Sequence, residues 1–153
     1  MDIMRKFVIV SLLTKDCPTT FQKTDWPLHL TLARPFLSPD SNEELIQKVT
    51  LACANQTPLV TRGVSRALFD RYQRKIAATE VEHTPELLRL HTQIRDAIGP
   101  VQAVGESYDT FRPHVSDQAA EAIEVGQIIT LDSVSLVEMD GNNRYVFHIA
   151  DLK

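Results

Sequence analysis

The chain opens with an apolar run, Lys6 to Leu13 (KFVIVSLL), rich in β-branched and aliphatic residues and closed by the turn-like Asp16-Cys17-Pro18. This pattern predicts a first, largely buried strand. Beyond a polar loop through Asp25 and Pro27, Leu28-His29-Leu30-Thr31-Leu32 alternates strictly, with leucines on one face and His29 and Thr31 on the other. It predicts a strand whose polar face needs a reason. From Ser41 to Asn55 the period changes: Ser41-x-x-Glu44 forms a capping box, and Leu45, Ile46, Val49, Ala52 and Cys53 make the stripe of a first helix. Leu59 to Phe69 and Lys75 to Val81 read as strands joined by a charged turn around Asp70-Arg71. Thr84 and Pro85 start a second helix, whose Leu87, Leu90, Ile94 and Ile98 share one side until Gly99-Pro100 ends it. A loop with Gly105, an extended piece Phe111 to Ser116, and a segment Asp117 to Val125 that could be a short capped helix follow. Two closing strands, Ile128 to Glu138 and Arg144 to Ile149, are expected across Asp140-Gly141-Asn142-Asn143, residues that tolerate positive φ.

At 153 residues, 43% hydrophobic and 24% charged, the chain has the size and composition of one folded domain, spanning residues 1–153, and needs no disulfide to build a core. Cys17 and Cys53 are read as free thiols, and with no membrane-length apolar run and no cleavable signal pattern a cytoplasmic location is expected. The net charge of −4 disfavours nonspecific coating of nucleic acid or binding to anionic lipid, so a phosphate ligand would need local positive charge. There is no Cys-x-x-Cys or His-x-x-x-His spacing and no G-x-x-x-x-G-K loop, so neither a metal, a cofactor nor nucleoside-triphosphate hydrolysis by that loop is expected.

Two of the five histidines, His29 and His114, have a hydroxyl residue two positions later, Thr31 and Ser116. Composition alone can produce such pairs, so their setting has to carry the argument. On a strand, residues i and i+2 share a face with Cα atoms about 6.5–7 Å apart, so an imidazole and a hydroxyl can reach one phosphate together. A second such strand supplies the matching pair. Two imidazoles on opposite sides of a phosphorus suit in-line displacement, one taking a proton from the attacking oxygen and the other giving one to the leaving oxygen. The hydroxyls can donate to the nonbridging oxygens as their charge changes.

Leu28-His29-Leu30-Thr31-Leu32 with Pro35-Phe36, and Phe111-Arg112-Pro113-His114-Val115-Ser116, resemble the two motifs of the two-histidine (2H) phosphoesterases, which include bacterial 2′-5′ RNA ligase and cyclic nucleotide phosphodiesterase branches. The helix opening Thr-Pro-Glu-Leu-Leu at Thr84 is similar too. The resemblance runs from Phe7 to Leu152. It implies an α+β fold of two pseudo-symmetric lobes, each an antiparallel sheet with an outer helix, around a central groove. It also implies metal-independent chemistry on a 2′,3′-cyclic or 2′,5′-linked nucleotide or RNA phosphate, with His29 and His114 as acid and base and Thr31 and Ser116 on the phosphate. The chain departs from the family pattern at Ser116, where threonine is commoner, and at Asp117-Gln118, where an apolar and then a basic residue are usual. Asp117 would repel a phosphate unless the chain turns away after Ser116, and it shifts the counter-charge to Arg34, Arg112 or Arg144.

Phe36, Phe111 and Tyr145 are candidates for stacking on a base, and Trp26 either lines the groove or anchors its loop. His91 reads as a packing or surface residue, His83 as a turn residue and His148 as a strand residue. Two other functions fit the same residues: a module that holds an RNA end or nucleotide with little turnover, for which Asp117 speaks, and a cyclic phosphodiesterase of small metabolites. The oligomeric state is left open, a monomer being compatible with the sequence.

Overall fold

A computed structural model describes residues 3–14, 16–71, 74–104, 111–119 and 121–153. In chain order the elements are β1 (Arg5–Leu12), β2 (Thr20–Gln22), β3 (His29–Ser38), α1 (Asn42–Cys53), β4 (Leu59–Arg71), β5 (Arg74–Val81), α2 (Pro85–Ile98), β6 (Gln102–Ala103), β7 (His114–Ser116), β8 (Ile128–Leu131), β9 (Ser133–Asp140) and β10 (Asn143–Asp151). The fold is α+β. Among the described residues all the strand pairs are antiparallel, in the order β2-β10-β9-β1-β3-β7-β5-β4-β8, with β6 added to β3.

The helix ends follow their sequence signals. Ser41 and Glu44 close a reciprocal capping box on α1, and the Thr84 side chain accepts from the Leu87 N–H at the start of α2. Gly99 ends α2 with φ 74°, a left-handed conformation that costs glycine little. Of the predicted strand Ile128 to Glu138, the structure makes two. The ladder breaks at Asp132, so that β8 pairs with β4 while β9 pairs with β1 and β10. The chain crosses there from one half of the sheet to the other. The segment Asp117 to Val125 forms no helix among its described residues; Gln118 and Glu121 make an isolated bridge instead. Gly105 lies outside the described residues.

The two helices pack on each other, α2 also against β3 and α1 against β10. Together with one face of the sheet they enclose a core that runs from Phe7, Leu30 and Leu136 in the first half to Val115 and Leu131 in the second. The other face of the first half is covered by a smaller cluster, in which Val8, Val10, Leu12, Phe21, Val137 and Val146 pack with Cys17, Trp26 and Met139. Both thiols are free. Burial raises the pKa of Cys53 to about 11, and burial with nearby Glu121 and Asp16 also raises that of Cys17, so both favour the neutral form. No helix of the described residues is long and apolar enough to cross a membrane.

Candidate active site

The two halves of the sheet meet where Leu30 of β3 faces Val115 of β7. Both side chains are completely buried in the helix-side core. Their neighbours along each strand therefore project from the opposite face, and antiparallel register sets His29 across from Ser116 and Thr31 across from His114. Side chains directly across such a pair sit about 4.5–5.5 Å apart at Cβ, and diagonal ones about 7–8 Å. The histidines occupy one diagonal of this quartet and the hydroxyls the other, so a tetrahedral group at the centre would have an imidazole on each of two opposite sides.

Each imidazole is held in the same way. His29 Nδ1–H donates to the Pro27 carbonyl at 2.8 Å and His114 Nδ1–H to the Arg112 carbonyl at 2.7 Å, in both cases two residues back along the chain. A carbonyl can only accept, so Nδ1 carries a proton in both charge states and Nε2 is the nitrogen that gains or loses one. Aromatic rings fix the tilt: Trp26 lies against His29 with centroids 4.3 Å apart, and Phe69 of β4 stacks on His114 at 3.9 Å. Trp26 thus packs on the histidine of the first motif, and Phe69 is a contact of the second that its alternating strand pattern does not distinguish from core.

Each motif also carries an arginine. Leu32 and Ala33 are consecutive yet both belong to the helix-side core, because β3 has a bulge between the pairs Ile9–Ala33 and Val10–Thr31. The extra residue advances the alternation by one and brings Arg34 to the face of His29 and Thr31. Arg112 is half-buried, its guanidinium 4.4 Å over the Phe69 ring and 2.9 Å from the carboxylate of Glu80, whose Cα lies across from that of His114.

Asp117 is turned away. Its position alternates with Ser116 to the face of Val115, where Arg66 meets it in a two-pronged pair at 2.8 and 2.6 Å. Arg66 also donates to the Thr79 hydroxyl at 2.8 Å, and that buried hydroxyl donates to the Ile123 carbonyl at 2.8 Å. The hydrogen bond to Asp117 raises the pKa of Arg66 further. The feature that spoke for binding without turnover is thereby neutralised within its own half.

Three expectations need correction and a fourth needs narrowing. Phe36 is 1% exposed and packs its ring on Phe7 with centroids 5.9 Å apart, so it offers no face to a base. Phe111 needs only a narrower expectation: it lies flat on His91 at 3.8 Å and packs against the core, which takes one face of its ring and leaves base stacking to the other as a proposal. Tyr145 sits in β10, three inter-strand spacings or about 14 Å from β3. It pairs with Glu138 on the face opposite the quartet. Arg144 is buried and donates to the Gly141 and Asn143 carbonyls at 2.9 Å each, which ties down the β9–β10 turn and removes it as a counter-charge. For Phe36, Tyr145 and Arg144, bulges and neighbouring strands, which local alternation does not specify, decide the faces they take.

Beside the His29–Ser116 edge lies a cavity of about 380 Å³, lined by Trp26, Pro27, Gln118 and Ala119 with the carboxylates of Asp16, Asp25 and Glu121. Among the described residues no three His, Cys, Asp or Glu side chains converge as metal ligands do.

Residues 16–142 match the family model of the 2′-5′ RNA ligase superfamily. No curated protein matches the chain in sequence. Among solved structures, E. coli LigT complexed with 3′-AMP superposes with a TM-score of 0.61 at 16% identity, covering 99% of each chain. TT0787 of Thermus thermophilus gives 0.60 at 19% identity, covering 97% of each chain. A third structure, of a phosphoesterase, gives 0.58 at 18% identity, covering 97% of this chain and 98% of that one. At such identities the likeness establishes a shared fold.

Proposed function

The chain belongs to the 2′-5′ RNA ligase superfamily of 2H phosphoesterases, and from that premise we propose that it opens 2′,3′-cyclic or cleaves 2′,5′-linked nucleotide phosphates by acid–base catalysis at His29 and His114. The observation that supports this reading is the Leu30–Val115 register pair, by which His29 lies across from Ser116 and Thr31 across from His114. With a cyclic phosphate there, Nε2 of one histidine takes a proton from water as the new P–O bond forms. The P–O bond to a ribose oxygen breaks on the far side, and Nε2 of the other, protonated, histidine delivers a proton to that oxygen. Thr31 and Ser116 donate to the nonbridging oxygens, and Arg34 offsets the phosphate charge together with Arg112, which also serves Glu80. The two imidazoles between them perform both proton transfers, so the scheme requires no metal.

Two features favour a small substrate. The motifs supply the phosphate with Arg34 and with an Arg112 that is shared with Glu80, and the adjoining cavity carries carboxylates that would repel a further phosphate. E. coli LigT, of the same fold, has been crystallised with 3′-AMP, a nucleotide of the size expected here. The test is turnover of 2′,3′-cyclic mononucleotides and 2′,5′-linked dinucleotides by the purified protein, with product identification and with His29→Ala and His114→Ala as controls. Ring-opened or cleaved product that disappears in both variants and survives exhaustive dialysis against EDTA is the expected result. Tight nucleotide binding without product would favour a binding module instead.

A further inference from the structure

His91 lies in α2, outside both histidine motifs, yet it touches each of them. Its Nδ1–H donates to the Leu32 carbonyl at 2.7 Å, and its ring lies flat on Phe111, centroids 3.8 Å apart with the planes 1° from parallel. Leu32 immediately follows Thr31 and is the extra residue of the β3 bulge, lacking a partner in the register with β1. A buried carbonyl outside a ladder needs a donor from elsewhere, and here the helix provides one. Phe111 leads into the second motif, three residues before His114. One side chain thus fastens the bulge of the first motif strand to the approach of the second.

The need for such a fastening follows from the topology. β3 and β7 share one register pair, and β7 is three residues long. The backbone ladder between the halves is therefore short, while acid–base catalysis depends on where the two imidazoles stand relative to one phosphorus. The bulge that His91 supports is also the one that turns Arg34 toward the quartet. Burial, with a smaller contribution from Arg95, lowers the pKa of His91 against the pull of the Leu32 bond, so the ring favours its neutral form.

We infer that His91 is a positioning residue for the two-histidine site, setting one motif against the other by joining the Leu32 carbonyl to the Phe111 ring. The inference rests on the reading of His29 and His114 given above. Its test separates the two contacts. His91→Phe keeps a ring on Phe111 and removes the donor, whereas His91→Asn keeps an amide donor near the Nδ1 position and removes the ring. The readouts are kcat and KM for 2′,3′-cyclic AMP, the thermal unfolding midpoint, and the imidazole ¹H–¹⁵N resonances of His29 and His114.

In His91→Phe, kcat is expected to fall by roughly 10- to 100-fold, the range for a small misplacement of reacting groups, while KM changes less than about threefold. His91→Asn is expected to recover part of that loss, and the His114 ring resonances to move in both variants. Both variants folded, with kcat within about twofold of the parent and the ring resonances unmoved, would overturn the inference. Should both unfold, Phe111→Leu decides: it leaves the Leu32 bond and removes the stack, and unchanged kcat and His114 resonances in that variant count against positioning. If the parent lacks turnover, or His29→Ala keeps the full rate, the two-histidine reading fails instead. The resonances would still decide whether His91 links the motifs.

Discussion

The two motif strands hold their histidines by the same local device, but on very different supports. β3 is ten residues long and is paired with β1 for most of its length, while β7 is three residues long and lies between β3 and β5. Around β7 the backbone ladder is supplemented by side chains: Arg66 on Asp117, Glu80 on Arg112, Phe69 on His114 and His91 on Phe111. The first imidazole thus sits on a long ladder, the second on a three-residue ladder that contacts between side chains supplement. Catalytically the two should be equivalent in weight, whereas structurally the second should be easier to disturb.

The equivalence is tested most severely at the histidines themselves. His29→Ala and His114→Ala should each lower kcat/KM by about 10²-fold or more, since general acid and general base steps contribute about 10²–10⁴ each. The double variant should lose far less than the product of the two, because both groups act in one transition state. Near-normal turnover in either single variant, with product identified, would end the scheme. A large loss in one alone would break the symmetry and leave a single-histidine site.

The inequality of support is tested at the stacking rings. Phe69 is 4% exposed, and truncating a buried phenylalanine typically costs about 3–5 kcal/mol. Trp26 is only half-buried, at the rim of the smaller cluster, so Trp26→Ala should cost clearly less. Denaturant midpoints of the two variants measure this directly. Comparable losses would mean that the two halves are supported alike, contrary to the topology. Phe69→Leu, which keeps most of the apolar volume, should retain more stability than Phe69→Ala but still lower kcat, because a flat face against the imidazole is gone.

A third test asks whether the two imidazoles work as a pair in opposite protonation states. In that case kcat/KM should pass through a maximum with pH, falling on the acid side as the base gains a proton and on the alkaline side as the acid loses one. Its limbs would report constants of the pair, not of His29 or His114 individually. A flat profile across about pH 5 to 8, where unperturbed imidazoles titrate, would contradict the pairing.

How much of this was legible beforehand depended on whether a feature was local. The capping box at Ser41, the Thr84–Gly99 helix and the alternation around His29 are written in neighbouring residues, and the structure has them. The polar quartet was also legible as two His-x-hydroxyl pairs, although the diagonal arrangement depends on the Leu30–Val115 register, which no local pattern specifies. The errors came from longer range. Nothing near Phe36 indicates that β1 would place Phe7 against it, and the run Ile128 to Glu138 does not reveal that its two parts pair with different halves of the sheet. The strands β2 and β6, three and two residues long, are too short for a periodic signal and form only because partner edges lie beside them. Likewise Arg66, Glu80 and His91 gain their significance from residues 51, 32 and 59 positions away.

The smallest effect is expected at Asp117, and it distinguishes charge from support in the weaker half. Were its carboxylate to face the phosphate, Asp117→Asn would remove a repulsion and lower KM several-fold. The alternation of β7 instead sends it to the face of Val115, and Arg66 meets its charge with two hydrogen bonds. Neutralising Asp117 should therefore leave KM for a cyclic mononucleotide within about twofold, since an opposed, paired charge beyond the sheet is largely compensated and further screened by salt. What should change is the end of β7: the unfolding midpoint should drop slightly, and Arg66→Ala should reproduce the drop. In a double-mutant cycle the two changes should cost less together than the sum of the singles, as expected for partners in one pair. Additive costs would mean that Arg66 and Asp117 support β7 independently, and a clear fall in KM in Asp117→Asn would return the carboxylate to the phosphate's side of the sheet.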